Sequence, residues 1–377
     1  MGPDRTRLDS GIDARGALTL LAAGPHVRTP SRTVTYSRNI AIPVTRICRN
    51  RCAYCSFAES PGRAAPLLLA PGTIRNLLRL GAASGCTEAL FLTGERPEQA
   101  CPAVGDRLAA WGYRDLVDYL VHMGEAALDH GLLPHTNAGV LDRDELNALR
   151  GVNASLGLML ESASDRLCRN GGAHARSPGK RPAVRLRTIE EAGKLGIPFT
   201  TGILIGIGEK PEERVDALRR IRELHSRYGH IQEVIVQPFC PKPGTPMSSH
   251  PAPPAEDVLA AVACARRILG PDLHIQVPPN LVPSLDLFIR AGADDWGGLS
   301  PLTADPVNPE NGWPDFAVLR KSAEAAGAML RERLPVYPEF ITDRHLPPRV
   351  RCAAAALVDG EGYVKGDRGH GPDPQEH

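Results

Sequence analysis

The sequence predicts an α/β fold, a parallel (βα) barrel of the TIM type, and three observations predict it. Short apolar, β-rich runs alternate with amphipathic stretches through about 270 residues, as a parallel sheet requires. The pair recurs seven or eight times, a count that favours a barrel over a doubly wound sheet. The chemically capable residues follow the strand runs, and a barrel builds its site from the loops at the C-terminal ends of its strands.

The strand runs, in order, are Ile40–Thr45, Ala89–Thr93, Leu132–Thr136, Ala154–Leu160, Phe199–Ile205, Glu233–Gln237 and His274–Val277, with a shorter eighth near Asp295–Leu299. Their short, near-continuous apolar character suits strands covered on both faces. Between them lie amphipathic stretches at Thr73–Ala83, Tyr113–His130, Arg143–Leu149, Ala183–Leu195, Glu212–Tyr228, Ala255–Leu269 and Pro283–Ala291. Thr188-Ile189-Glu190-Glu191 and Lys210-Pro211-Glu212-Glu213 read as helix starts, with Pro211 in a first turn where its missing N–H is no loss. Residues 1–33 form a polar, Arg-rich extension with one short helix at Ala17–Ala23. Residues 34–340 form the barrel core. Residues 341–377 form a C-terminal tail, partly disordered, whose last dozen residues hold too little apolar surface to pack. No repeat of fixed period occurs, which excludes a solenoid.

Composition narrows the function. The chain has 377 residues, 42% of them apolar, enough for a large core. Its 44 basic and 43 acidic side chains leave a net charge of +1, too little field to argue for nucleic acid or an anionic membrane as partner. No run approaches the roughly 18 apolar residues of a membrane span, and Ala17–Gly24 is too short for a signal peptide. A cytoplasmic protein is expected. Only six of the 44 basic residues are Lys, the rest Arg, a pattern of coding bias first. Nine Cys, an odd count without a secretion signal, argue against a disulfide framework.

Three of those Cys fall within eight residues, Cys48-Arg-Asn-Arg-Cys52-Ala-Tyr-Cys55, directly after the first strand run. Three thiolates in so short a loop suit a [4Fe–4S] cube with one iron left open. A zinc ion would need a fourth ligand, and zinc motifs pair two short Cys/His spacings, of which no second occurs. The alternative of a different class is thus a zinc-stabilised, non-catalytic scaffold.

The C-x3-C-x2-C spacing, with the aromatic Tyr54 before its last Cys, resembles the radical S-adenosylmethionine (SAM) superfamily. The resemblance implies that SAM chelates the open iron through its amino and carboxylate groups. It implies reductive cleavage of SAM to methionine and a 5'-deoxyadenosyl radical, fed by an electron donor such as flavodoxin or ferredoxin. Thr93-Gly94-Glu95 is similar to the superfamily's Gly-Gly-Glu element, which holds the methionine amino group. Gly202-Ile-Leu-Ile-Gly206-Ile-Gly208-Glu209 resembles its G-x-I-x-G-x-x-E element, which places Gly206 and Glu209 near the adenine. Glu161 and Ser162 end a strand run and could accept from the ribose or the amine. Arg185, or Arg187 beside it, stands where related barrels pair the SAM carboxylate, for which a planar bidentate donor is suited. Arg46, Arg49 and Arg51 surround the cysteine loop, either screening a cluster's charge or simply solvated.

Longer strings narrow the resemblance. Thr35 to Cys48, Pro134 to Val140, Asn153 to Glu161, Thr200 to Glu209, Tyr228 to Val234 and Asp295-Trp-Gly-Gly-Leu-Ser-Pro301 together look like the family of 7,8-didemethyl-8-hydroxy-5-deazariboflavin (FO) synthases over about residues 33–340. That implies a ring-closing, ammonia-releasing lyase in deazaflavin coenzyme (F-420) biosynthesis. The implied substrate is 5-amino-5-(4-hydroxybenzyl)-6-(D-ribitylimino)-5,6-dihydrouracil, supplied by a partner radical SAM synthase from tyrosine and a diaminouracil. One cysteine cluster leaves room for only one of the two enzymes. Substrate candidates at the barrel mouth are His135, Asn137, Gln237, Gln276, Asn280 and Asp295. Pro238 and Cys240 depart from the family's pattern by replacing an amide and a cation, so a paralogous radical SAM enzyme acting on a related precursor is a second expectation.

Overall fold

Eight parallel strands close on themselves. They are β1 (Thr33–Thr45), β2 (Glu88–Thr93), β3 (Leu133–Asn137), β4 (Ser155–Gly157), β5 (Phe199–Ile205), β6 (Ile231–Pro238), β7 (His274–Gln276) and β8 (Asp295–Leu299). The computed structural model describes residues 33–62 and 66–366, so the helix expected at Ala17–Ala23 lies outside the described residues. All eight predicted runs are strands, in chain order round the barrel, as the sequence predicts.

Closure depends on the length of β1. Its lower half, Thr35–Arg38, pairs with β8, and its upper half, Asn39–Thr45, pairs with β2. A ninth strand, β9 (Met329–Glu332), joins the start of β1 outside the barrel and is absent from the predicted runs. β4 is shorter than the predicted Ala154–Leu160. Past Gly157 the chain leaves the ladder and returns at a single bridge, Glu161 to Ile203, with Glu161 in the left-handed region at φ 66°. Met159 and Glu161 thereby hang over the barrel's interior instead of packing in a sheet.

The seven amphipathic stretches are all helices, within a few residues: Pro71–Ala83, Leu116–Asp129, Arg143–Arg150, Pro182–Lys194, Pro211–Tyr228, Ala255–Leu269 and Leu285–Ala291. Several start on Pro at the first helical position. At Arg143–Arg150, Asp142 accepts from the amides of Asp144 and Glu145 at 3.0 Å each, while Glu145 returns a bond to the Asp142 amide at 2.7 Å. The helices' apolar stripes, with Leu78, Leu120, Ile189, Ile221 and Val262 fully buried, cover the outward strand residues Ile42, Phe91, Ile203 and Val234. This layer is the main core.

Inside the barrel the period-2 alternation turns a different set inward. A packed barrel is filled by bulky aliphatic residues. Here the inward positions include Ser37, Asn39, Glu88, His135, Glu233 and Gln276, and a cavity of about 360 Å³ remains among them. Below it, Arg333 closes the floor. Its guanidinium donates to Asp295 at 2.6 and 2.8 Å and to Glu233 at 2.9 Å. Tyr337 stacks on His274 with ring centroids 3.9 Å apart.

The sequence predicts a partly disordered C-terminal tail over residues 341–377; within it, helix Pro348–Leu357 sets Val350 and Ala354 into a second apolar cluster with Leu334, Val336, Tyr337 and Phe340. That cluster packs on Leu133 and Ala154, at the starts of β3 and β4, so residues 341–366 cap the barrel's underside. The Ala-rich helix was read as tail because its single apolar stripe is short; residues 367–377 lie outside the described part.

Candidate active site

The cysteine loop leaves the end of β1 and folds over the barrel's C-terminal mouth. Cys48 is buried, while Cys52 and Cys55 are half-buried. The loop is held by its neighbours' backbone: the Arg51 amide donates to the Arg176 carbonyl at 3.0 Å and the Ala53 amide to the Ala173 carbonyl at 2.9 Å. Gly179 donates from its amide to Asn50 Oδ1 at 2.9 Å. Beneath, Gly94 must be glycine, since a Cβ there would fall 1.9 Å from the Ile47 carbonyl oxygen.

The sulfurs sit among donors. Cys48 Sγ accepts from the amides of Glu95 at 3.2 Å and Asn50 at 3.4 Å, and Cys52 Sγ from the Ser177 hydroxyl at 3.3 Å. Burial pushes the Cys48 and Cys55 thiols up, with the adjacent Cys52 adding to it. Bare, the Cys48 and Cys55 thiols would therefore stay protonated, and a metal is what would hold them as thiolates. Among the described residues, no group of three or more His, Cys, Asp or Glu is gathered as a single ion would need. Donors on the sulfurs, a cavity beneath them and thiols spread along a loop fit a cube, which spends one thiolate on each of three irons.

Two connected lobes lie under the loop. The outer one, about 270 Å³, is lined by Cys48, Cys52, Cys55 and Tyr54 and reaches Thr93, Gly94 and Glu95. The inner one is the barrel cavity, and the two share Asn137, Glu161, Lys180, Arg185 and Gln237 in their walls. Charge is concentrated where they meet. Glu95 is 3% exposed and is gripped by Arg49 at 2.9 Å and Arg185 at 3.6 Å. Burial pushes its carboxyl up, but Arg185 and Arg49 outweigh burial and hold it below the ordinary range. Glu161 pairs with Lys180; burial again opposes, and Lys180 and then Arg185 bring the carboxyl down. Arg185 also donates to the Met159 carbonyl, and its Nε has no partner. Tyr54 bonds His174 Nε2 at 3.0 Å. Burial and the nearby Lys180 push the His174 imidazole down to about 3, so it is neutral.

The other predicted residues divide. His135 and Gln276 line the inner lobe, and Asn137 and Gln237 line both. His135 Nδ1 bonds the Ser155 hydroxyl at 2.6 Å, and burial and then Arg333 push its pKa down to about 4. Gly157 makes room for Asn137 and His135, since a Cβ there would fall 1.9 Å from Asn137 Oδ1 and 3.0 Å from His135 Nε2. Asp295 is not at the mouth. It opens β8, at the floor, fully buried against Arg333, because the strand begins rather than ends there. Asn280 lines neither lobe; its amide donates to Asp305 at 3.0 Å and to the Asn311 carbonyl at 3.2 Å, bracing the loop above β8. Ser162 accepts from the Ser164 amide at 3.1 Å, a turn contact outside both lobes. Glu209 is committed too, accepting from the Gly206 and Ile207 amides at 2.9 and 2.8 Å and from Arg214 at 2.7 Å. Gly206, at φ 96°, shapes that loop without lining either lobe. Arg187 stands away from both lobes on the outer face of its helix. Arg46 braces the loop through the Phe57 and Ser56 carbonyls and Glu59, and Arg51 through the carbonyl of Asn50.

Sequence reasoning missed Lys180, Asn50, Glu88 and Glu233. The only signal for Lys180 was its rarity on an Arg-rich chain. Among the described residues no helix is long and apolar enough to cross a membrane.

A profile described as the Radical SAM superfamily matches residues 42–221. The 7,8-didemethyl-8-hydroxy-5-deazariboflavin synthase of Methanopyrus kandleri is 47% identical over 334 residues, covering 88% of this chain and all of that one. The protein of the same name from Methanothermobacter thermautotrophicus is 52% identical over 318 residues, 84% of this chain and 95% of that one. Among solved structures, methylornithine synthase is similar at a TM-score of 0.62 and 18% identity, over 85% of this chain and 95% of that one, a likeness of fold.

Proposed function

The chain belongs to the 7,8-didemethyl-8-hydroxy-5-deazariboflavin synthase family, and from that premise we propose how its two lobes divide the work of a radical SAM synthesis of FO. The observation that carries the reading is the continuity of the lobes: a loop of three cysteines roofs one end of a cavity whose other end is a polar pocket inside the barrel.

Cys48, Cys52 and Cys55 hold the [4Fe–4S] cluster, and the Glu95 and Asn50 amides with the Ser177 hydroxyl stabilise sulfur charge. When bound, the cluster and SAM supply a one-electron cleavage that yields methionine and a hydrogen-abstracting 5'-deoxyadenosyl radical. The chain's own part is binding and shielding. Glu161 and Glu95 accept from the amino group of SAM, beside Thr93 and Gly94, while Arg185 and Lys180 receive its carboxylate. These four charges pair with one another across the outer lobe. A zwitterion entering there offers each an equivalent partner, so ion pairs exchange and no buried charge is stranded. Tyr54, Met159, Leu204 and Phe239 give the same lobe apolar walls that keep water from the reacting centre.

The inner lobe takes the hydroxybenzyl-dihydrouracil adduct. His135, Asn137, Gln237 and Gln276 supply donors and acceptors to its ring and ribityl chain. Closure of the third ring with loss of ammonia makes the enzyme a lyase. The adduct comes from a partner radical SAM synthase, and the electron from a donor such as flavodoxin or ferredoxin. A second reading, a paralogous reaction on a related precursor, draws on Pro238 and Cys240, which line the outer lobe.

Electron paramagnetic resonance of the reduced, anaerobically reconstituted protein is expected to show a cluster signal that changes on adding SAM. With the partner enzyme, tyrosine and the diaminouracil, the reaction should give a fluorescent deazaflavin. Deoxyadenosine and methionine without deazaflavin would favour the second reading. Zinc in place of iron and sulfide would remove both.

A further inference from the structure

The inner lobe changes character with depth. Alternate residues of a strand share a face, and on β2 the inward series from floor to mouth is Glu88, Leu90, Leu92. On β6 it is Glu233, Ile235, Gln237. These strands thus offer carboxylates below and aliphatic side chains above them. His135 and Gln276 are the register partners of Leu90 and Ile235, so they are the polar groups of that middle level. β1 extends the lower, polar level. Asn39 is the register partner of Glu88, and the Ser37 hydroxyl donates to Glu88 Oε2 at 2.6 Å.

Four carboxylates line this lobe, and three of them are spent on protein partners. Glu161 pairs with Lys180, Glu233 with Arg333, and Asp305 accepts from Asn280, Asn308 and the Val307 amide. Glu88 differs. It is 5% exposed, forms no ion pair among the described residues, and receives only the Ser37 bond. Its Oε1 makes no hydrogen bond and opens into the lobe. Burial pushes the carboxyl up, against the Ser37 bond and then the charge of Arg333. A buried acceptor left open to a cavity costs stability until a donor reaches it.

Five residues of β2 separate Glu88 from Thr93 in the outer lobe, about 16 Å of strand. The reacting rings face the cysteine loop, so what reaches Glu88 is a part of the substrate that takes no part in ring closure. We propose that Glu88 marks the subsite for the ribityl chain, a hydroxyl of the chain donating to Glu88 Oε1 while the middle level takes the rings. This rests on the inner lobe being the substrate pocket, and it deepens that reading by fixing which part of the adduct goes down. The pyrimidinedione edge fits the floor less well, because its carbonyls would face the carboxylates of Glu88 and Glu233. A hydroxyl donates to a carboxylate and accepts from a carboxylic acid, so a polyol suits Glu88 in either protonation state.

The test uses full-length, cluster-reconstituted, oxidised enzyme with SAM present, titrated with two fluorescent probes. One is FO, and the other is its counterpart with methyl in place of the ribityl chain. The wild type should bind FO about 10- to 100-fold more tightly than the methyl counterpart. Glu88→Met, close in shape and without an acceptor, should weaken FO by about 5- to 50-fold. The methyl counterpart should change by less than about threefold in the same variant, because it never reaches the floor. Glu88→Gln, which keeps an acceptor oxygen, should fall between wild type and Glu88→Met for FO alone. Equal affinities of the wild type for both probes overturn the proposal, as does an equal loss for both probes in Glu88→Met, which would put the rings against Glu88. No binding of FO overturns it too. The wild-type comparison needs no variant to fold. Deazaflavin formation is assayed separately, so loss of the synthase reading and loss of this subsite give different results.

Discussion

At the floor of the barrel, Arg333 meets Asp295 and Glu233 in a fully buried, many-bonded knot; at the mouth, Glu95, Glu161, Lys180 and Arg185 are buried almost as deeply but pair across a cavity. Both regions bury charge, and the difference lies in what else could replace each partner. Around Arg333 the bonding positions are taken by protein groups, with the Leu334 carbonyl on Arg333, Tyr337 on Glu233 and Thr35 on Asp295, and the trio meets the inner lobe only as its floor. Around Glu161 and Arg185 the wall is open to both lobes. Charge knotted by many protein partners serves the fold, whereas charge paired across a void is placed to exchange partners with a ligand.

The largest effect should come from the mouth. Cys48→Ala, Cys52→Ala and Cys55→Ala are each expected to lower SAM cleavage by about 1000-fold or more, since removing one cluster ligand disables the whole electron path. Their circular-dichroism melts should stay cooperative, because the main core does not include the loop. Deoxyadenosine formation near wild-type levels in any one of them would break the ligand assignment. The floor should respond in the opposite manner. Arg333→Met strands two buried carboxylates and should cost about 3–5 kcal/mol in denaturant unfolding, while the folded fraction still takes up iron. A loss below about 1 kcal/mol would mean the knot is not what closes the barrel.

Glu161→Gln keeps shape and removes one charge from the ligand-facing set. It should raise the KM for SAM by about 10- to 100-fold, the worth of a charged hydrogen bond, with little change in melting temperature. A large stability loss with unchanged KM would make Glu161 a floor-type residue. The smallest effect concerns pH at the floor. Burial alone would push the His274 imidazole down, but Asp294 at 3.1 Å and Glu339 at 2.9 Å overcome burial and raise it to about 10. A folded pKa above the unfolded value near 6.5 means the stabilisation is complete below about pH 6.5 and is lost as pH climbs towards 10. Unfolding free energy should therefore decline across that window, and His274→Gln should flatten the decline. Parallel curves for the two proteins would remove His274 from the balance.

The strands and helices of the barrel were legible because each is written in consecutive residues. Apolar runs and helical spacing are local, and so is the Cys48–Cys55 loop, whose three thiols lie within eight residues. Asn137 and Gln237 could be placed because they follow strand runs, and strand ends face the mouth. The same rule misplaced Asp295, which lies at a strand's beginning, where the identical chemistry serves the floor. Helix Phe316–Ala325, strand β9 and helix Pro348–Leu357 were missed because they decorate the barrel and follow no repeat.

By itself, then, the chain's order of residues determined the barrel, the cysteine loop and the family, since all three are carried by short-range patterns. Which charges pair across the outer lobe and which knot together at the floor was decided only by the tertiary structure. Glu233, Asp295 and Arg333 are separated by scores of residues, and only the closed barrel brings them together. Burial, and with it the energy of a charge or an orphaned donor, is a property of that closure and has no local signature.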